Sequence, residues 1–176
     1  MKLNNFLKEM DITITNTISI VLFFGSLFLT YWEIEIFRKT FIPVYIPIFL
    51  WIFPGIIITP LLFRFLKEHL KINSIYQQLF YNITIAGGIT VYTFMAINYF
   101  FAENIVITKN VNIIKTGSLA EGKHGCSQPY AEIKYKEQIK ELIYPCGTNL
   151  ENEKEVELLL KKGKLGFEIV INQDTK

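Results

Sequence analysis

Three long uncharged runs fill the first part of the chain: residues 12–32, 40–63 and 72–102, of 21, 24 and 31 residues. A helix needs about 20 mainly apolar residues to cross the hydrocarbon core of a bilayer. Charged residues return promptly between the runs. The pattern predicts transmembrane helices near 14–32, 41–63 and 79–101. Residues 71–78, with Asn73, Ser74, Gln77 and Gln78, read as an interfacial connector. The first run is longer than the 7–15 residues of a signal-peptide core and no Ala-x-Ala site follows it, so it reads as a retained helix. Tyr31-Trp32 ends the first run and Tyr99, Phe100 and Phe101 end the third. Such aromatic endings suit a membrane–water interface.

After Ala102 the period changes from solid apolar runs to alternation. Ala131, Ile133 and Tyr135 alternate with Glu132, Lys134 and Lys136; Val156, Leu158 and Leu160 repeat the pattern, as do Phe167, Ile169 and Ile171. A period of two marks a sheet with one buried face. Strands are expected at 104–115, with a break near Lys109-Asn110, and at 130–136, 138–144, 155–161 and 165–172. Lys136-Glu137-Gln138 and Lys162-Gly163-Lys164 look like hairpin turns, with Gly163 expected at positive φ. The fold class is therefore α+β: a membrane domain over 1–102 with three helices, then a small antiparallel β-rich domain over 103–176, sandwich or barrel-like. Residues 102–104 leave almost no linker, which is expected to keep that domain close to the bilayer.

Composition separates the same two parts. The 176 residues are 51% hydrophobic and 19% charged, but only 7 of the 18 basic and 5 of the 16 acidic residues lie in 1–102. The remainder carries 11 of each and no formal net charge. So much apolar content excludes a disordered chain, and the lack of a basic stripe argues against nucleic acid as a partner. With the amino terminus inside, the inner loops hold Lys2, Lys8, Arg64, Lys67 and Lys71 and the outer loop Arg38 and Lys39. That bias favours a cytoplasmic amino terminus and an outer carboxyl domain. Lysines outnumber arginines 16 to 2, a bias of AT-rich, bacterial coding, and the expected location is a bacterial inner membrane with a periplasmic domain.

Four of the six prolines, Pro43, Pro47, Pro54 and Pro60, fall in the second run. Spacings of 4 and 7 put Pro43, Pro47 and Pro54 on one helical face. Each interior proline frees a carbonyl that needs another partner in hydrocarbon, so this face is expected to pack against the third helix. Asn82, Thr84, Thr90 and Asn98 are the polar candidates there, and Gly87-Gly88 the small ones. The same residues are the candidates for a cleft beneath the β-domain. The predicted spans hold no Asp, Glu, Lys, Arg or His, which weighs against a pump or an ion-coupled transporter.

Cys126 and Cys146 are the only cysteines, each beside a turn. A bridge between them fits an oxidising outer compartment and a small core, and contributes about 3 kcal/mol. The run from Gly117 to Lys123 matches seven places of a phosphate-binding loop, but His124 stands where Ser or Thr must hold magnesium, and Gly125 to Pro129 cannot continue a helix. It reads as a glycine-rich loop, without nucleotide. His124 with Cys126, Cys146 and Glu121 falls short of a zinc set. There is no Gly-x-Ser-x-Gly, His-Glu-x-x-His or Cys-x-x-Cys. No catalytic residue, metal or cofactor is expected. The functional expectation is a non-enzymatic membrane protein whose outer β-domain binds a protein of the envelope, as an accessory subunit or an immunity-type protein. The alternative is handling of a small molecule or lipid.

Overall fold

A computed structural model describes residues 2–120, 125, 127–150 and 153–175. The chain forms two compact units: Met1–Ile36 with Val44–Ala96, and Phe37–Pro43 with Ile97–Lys176.

The helical elements are α1 (Lys2–Arg38), α2 (Tyr45–His69), α3 (Ile75–Asn82), a π-turn over Ile83–Gly87, and α4 (Gly88–Phe100). Thr13–Arg38, Tyr45–His69 and Ile75–Phe100 are each long and apolar enough to cross a membrane. These are the three expected helices with different ends. The first runs past Trp32 and includes Glu33, which is buried. The third begins inside the expected connector, at Ile75. The second begins at Tyr45 rather than at residue 41, so Pro43 lies outside it. A proline disfavours helical backbone in the residue before it, and the Phe41 N–H donates instead to the Glu168 carbonyl at 2.7 Å. The expected proline face is thus reduced to Pro47 and Pro54, with Pro60 also inside the helix.

Polar groups tie α2 to the third span. Thr59 donates its hydroxyl to the Gly55 carbonyl (2.7 Å), and Asn82 Nδ2 donates to Thr59 Oγ1 (3.1 Å). In hydrocarbon such bonds answer groups that water would otherwise meet. Aromatic pairs join α1 to the third span: the Phe23 and Tyr81 rings stack at 5.9 Å and Trp32 lies 6.3 Å from Tyr92. The connector closes on itself. Lys71 takes φ 55°, the Ile72 N–H returns to the Leu66 carbonyl (3.2 Å), and buried Gln78 donates Nε2 to the Ile72 carbonyl (2.6 Å).

The second unit is one antiparallel sheet of β1 (Val106–Ser118), β2 (Pro129–Tyr135), β3 (Gln138–Ile143), β4 (Glu155–Lys162) and β5 (Glu168–Thr175), in the order β3-β2-β1-β4-β5. The long β1 serves both halves. Val106 to Asn112 pair with β4, and Ile113 to Ser118 pair with β2 across an irregularity between Ile113 and Lys115. That irregularity, rather than the expected break at Lys109-Asn110, is where the strand changes partner; bulges bend and twist a strand. The sheet curls until Gln173 Nε2 on β5 donates to the Ile143 carbonyl on β3 at 2.7 Å. It is a single curled antiparallel sheet of five strands. Its buried side gathers Val111, Ala131, Ile133, Leu142, Val156, Leu158, Leu160 and Val170, with Phe41 added from the segment after α1.

The expected turns differ in detail. Lys136 and Glu137 form the two-residue link between Tyr135 and Gln138, both at positive φ (46° and 67°), as hairpin twist requires. At the next hairpin Gly166, at φ 92°, takes the left-handed position expected of Gly163. Strand β5 accordingly starts at Glu168, three residues after the expected start at 165.

Candidate functional site

The second unit is organised around two side chains, and both bind backbone rather than side-chain partners. The first is Asn98, fully buried near the end of α4. Its Nδ2 donates to the Phe167 carbonyl (3.1 Å), its Oδ1 accepts from the Leu165 N–H (3.1 Å), and its own carbonyl accepts from the Lys164 N–H (3.2 Å). One asparagine thus holds the whole turn between β4 and β5. Gly163 permits it: a Cβ there would lie 2.3 Å from Asn98 Oδ1 and 2.4 Å from the Phe167 carbonyl oxygen.

The second is Lys140 on β3. Alternation along the strand puts it on the same face as buried Leu142. Its Nζ donates to the Phe37 carbonyl at 2.5 Å and to the Thr40 carbonyl. It also lies over the Phe37 ring (4.8 Å) and the Phe41 ring (5.6 Å). Burial lowers this ammonium from its usual 10.5 to about 8. The carbonyls and ring faces oppose that fall, because both attract a cation. The folded value lies below the unfolded one, so between about pH 8 and 10.5 the unfolded chain binds more proton, and stability rises with pH across that window. Lys140→Met is expected to remove this contribution. Denaturant titrations of the full chain in mild detergent at pH 7.5 and 10 check it: wild type gains stability relative to the variant at the higher pH. An unchanged difference would refute the assignment.

The segment that receives Lys140 also covers one edge of the sheet. The Phe41 N–H donates to the Glu168 carbonyl and the Val170 N–H to the Lys39 carbonyl, both at 2.7 Å, with Thr40 bridged to Ile169. Strand β5 therefore has neighbours on both sides. Strand β3 ends the order on the other side, and among the described residues no strand pairs with its outer edge beyond the Gln173 bond at Ile143. Ile139 on that strand is 68% exposed. Beside it Lys136 pairs with Glu168 at 2.7 Å, a bond that holds the Lys136 ammonium above its usual range.

The residues singled out in the sequence fall in different places. Pro43 sits in the extended segment before α2, while Pro47 and Pro54 lie within α2. Asn82 meets Thr59, and Gly87 and Gly88 lie where helices touch: a Cβ on Gly87 would be 1.9 Å from the Trp51 carbonyl oxygen, and one on Gly88 2.9 Å from that of Ser26. Asn98 is apart from these, on the turn of the sheet. Cys146 lies exposed in the turn closed by the Thr148 N–H and the Pro145 carbonyl. Cys126, Glu121, Lys123 and His124 lie outside the described residues. Among the described residues no group of three His, Cys, Asp or Glu is placed to hold a metal. Lys140 was not among the expected residues, although one signal marked it: a lysine in register with inward-facing Leu142.

No protein family, curated protein or solved structure matches this chain.

Proposed function

We propose that this chain is a non-enzymatic integral membrane protein whose curled sheet binds a protein partner of the bacterial envelope, as an accessory subunit or an immunity-type protein. The observation that carries the reading is the asymmetry of the two sheet edges. Residues 39–41 pair with β5 through their backbone, whereas β3, the last strand in the order, meets them only through the Lys140 side chain, meets β5 at Ile143, and exposes Ile139 on its outer face. An unpaired strand edge is a template for another strand. The count of lysine and arginine in the loops supports an amino terminus on the cytoplasmic side and the sheet on the periplasmic side. A Cys126–Cys146 disulfide belongs to the same reading, since an oxidising compartment favours it.

The test is a pull-down of the full chain from native membranes in mild detergent. Wild type is expected to bring down a stoichiometric envelope protein, and Ile139→Lys to lose it by tenfold or more while melting as wild type does, because a lysine on an edge opposes strand addition. A partner retained equally by both proteins removes the edge from the proposal, and a wild type that emerges alone removes the partner. Cysteines that react with a thiol reagent only after the inner membrane is permeabilised overturn the orientation.

A further inference from the structure

The first unit carries a groove of about 310 Å³ on its surface, between α1, the third span and the 70–72 turn. Its walls are mostly apolar: Ile20 and Phe23 from α1, Leu70 and Ile72 from the turn. Asn16, Ser19 and Tyr81 complete it, and the Tyr81 hydroxyl donates to the Ser19 carbonyl at 3.4 Å. Basic residues occupy the same stretch of chain as Leu70 and Ile72. Lys71 lies between two lining residues and is exposed; Lys67 is exposed in the last turn of α2, three residues before Leu70. Glu68, His69 and Arg64 are the other titratable groups of this stretch, which is cationic by two charges with histidine neutral.

The turn that carries Lys71 between Leu70 and Ile72 is built at some cost. Lys71 holds a left-handed φ that favours glycine, and the Gln78 bond to the Ile72 carbonyl keeps it there. An apolar trough beside a lysine-bearing turn matches an amphiphile with an anionic head. We propose that this groove seats an acyl chain of an anionic glycerophospholipid whose phosphate lies between Lys67 and Lys71. The occupant is set by charge complementarity at the lysine-bearing turn and by an apolar trough in a span that faces lipid. The inference rests on the three-span membrane reading but not on any protein partner.

The full chain is reconstituted into vesicles of equal phosphatidylglycerol and phosphatidylcholine, floated, extracted in mild detergent and weighed by native mass spectrometry. Wild type is expected to retain one phosphatidylglycerol in preference to phosphatidylcholine. A lysine near an anionic surface is worth about fivefold, so Lys67→Gln with Lys71→Gln is expected to cut the preference by more than tenfold. Ile20→Trp, which fills the trough and leaves the charges, is expected to lower retention of either lipid. Lys109→Gln with Lys115→Gln, an equal charge change on the sheet, is expected to leave the preference intact. Protein that floats with the vesicles but retains both lipids equally, or whose preference survives the Lys67 and Lys71 changes, overturns the lipid site and leaves the membrane reading standing. Protein that does not float overturns both.

Discussion

Gly87→Ala is expected to destabilise the helical unit by about 3 kcal/mol or more, because its Cβ would meet the closest contact of any glycine among the described residues. The added Cβ would stand 1.9 Å from the Trp51 carbonyl oxygen and 2.8 Å from its carbonyl carbon. Both are backbone atoms, so no rotamer change relieves the clash, and the two helices must separate. Separation also loosens the neighbouring contacts, where a Cβ on Gly55 would stand 2.5 Å from the Ile83 backbone and where Asn82 bonds Thr59. Between apolar helices in lipid, close packing of this kind replaces the hydrophobic drive that water would supply. Thermal or detergent-titrated unfolding followed by circular dichroism reads the loss. Gly25→Ala is the control, since nothing lies within 4 Å of its Cβ position and alanine favours a helix by up to about 1 kcal/mol. Equal melting of the Gly87 variant and wild type would show that the helices do not pack in this way.

Asn98→Leu is expected to cost the sheet unit about 2 kcal/mol. Leucine keeps the branching but is bulkier and makes neither side-chain bond, so the Leu165 N–H loses its acceptor; a lost hydrogen bond costs about 1 kcal/mol, and crowding in this tight site adds about as much. The Phe167 carbonyl suffers less, because the Gly163 N–H still donates to it at 2.9 Å. Hydrogen exchange at the Leu165 amide is expected to accelerate tenfold or more, while the amides at the centre of β4 change with global stability alone. Gly163→Ala is expected to be destabilising for the converse reason, by crowding Asn98. Combining it with Asn98→Ala should cost less than the sum, since the smaller side chain vacates part of the space. Strict additivity would show that residues 98 and 163 do not act as one site.

The three apolar helices and the alternating strands were legible because each rests on a local period. A bilayer-length uncharged run and a buried sheet face write themselves directly into neighbouring residues. Pro43 was misplaced for a related reason. The uncharged run continues through residues 40–63, and nothing local says that Phe41 bonds to Glu168, more than a hundred residues away. Gly163 and Gly166 show the limit at finer scale. A glycine near a turn is visible in sequence, but whether it serves backbone conformation or close approach depends on what lies against it. Here Gly166 does the first and Gly163 the second.

By itself the sequence determined the number and kind of elements: three helices of membrane-spanning length, then a small antiparallel sheet, because apolar length and period are properties of consecutive residues. Tertiary structure alone decided the rest. It decided that residues 39–41 cover β5 and leave β3 at the edge, that β1 changes partner at Ile113, that Asn98 serves a turn of the sheet, and that Lys140 finds its partners in the carbonyls of Phe37 and Thr40. Each of these joins residues distant in the chain, and is selected by which buried backbone donors and acceptors remain to be satisfied once the elements have packed.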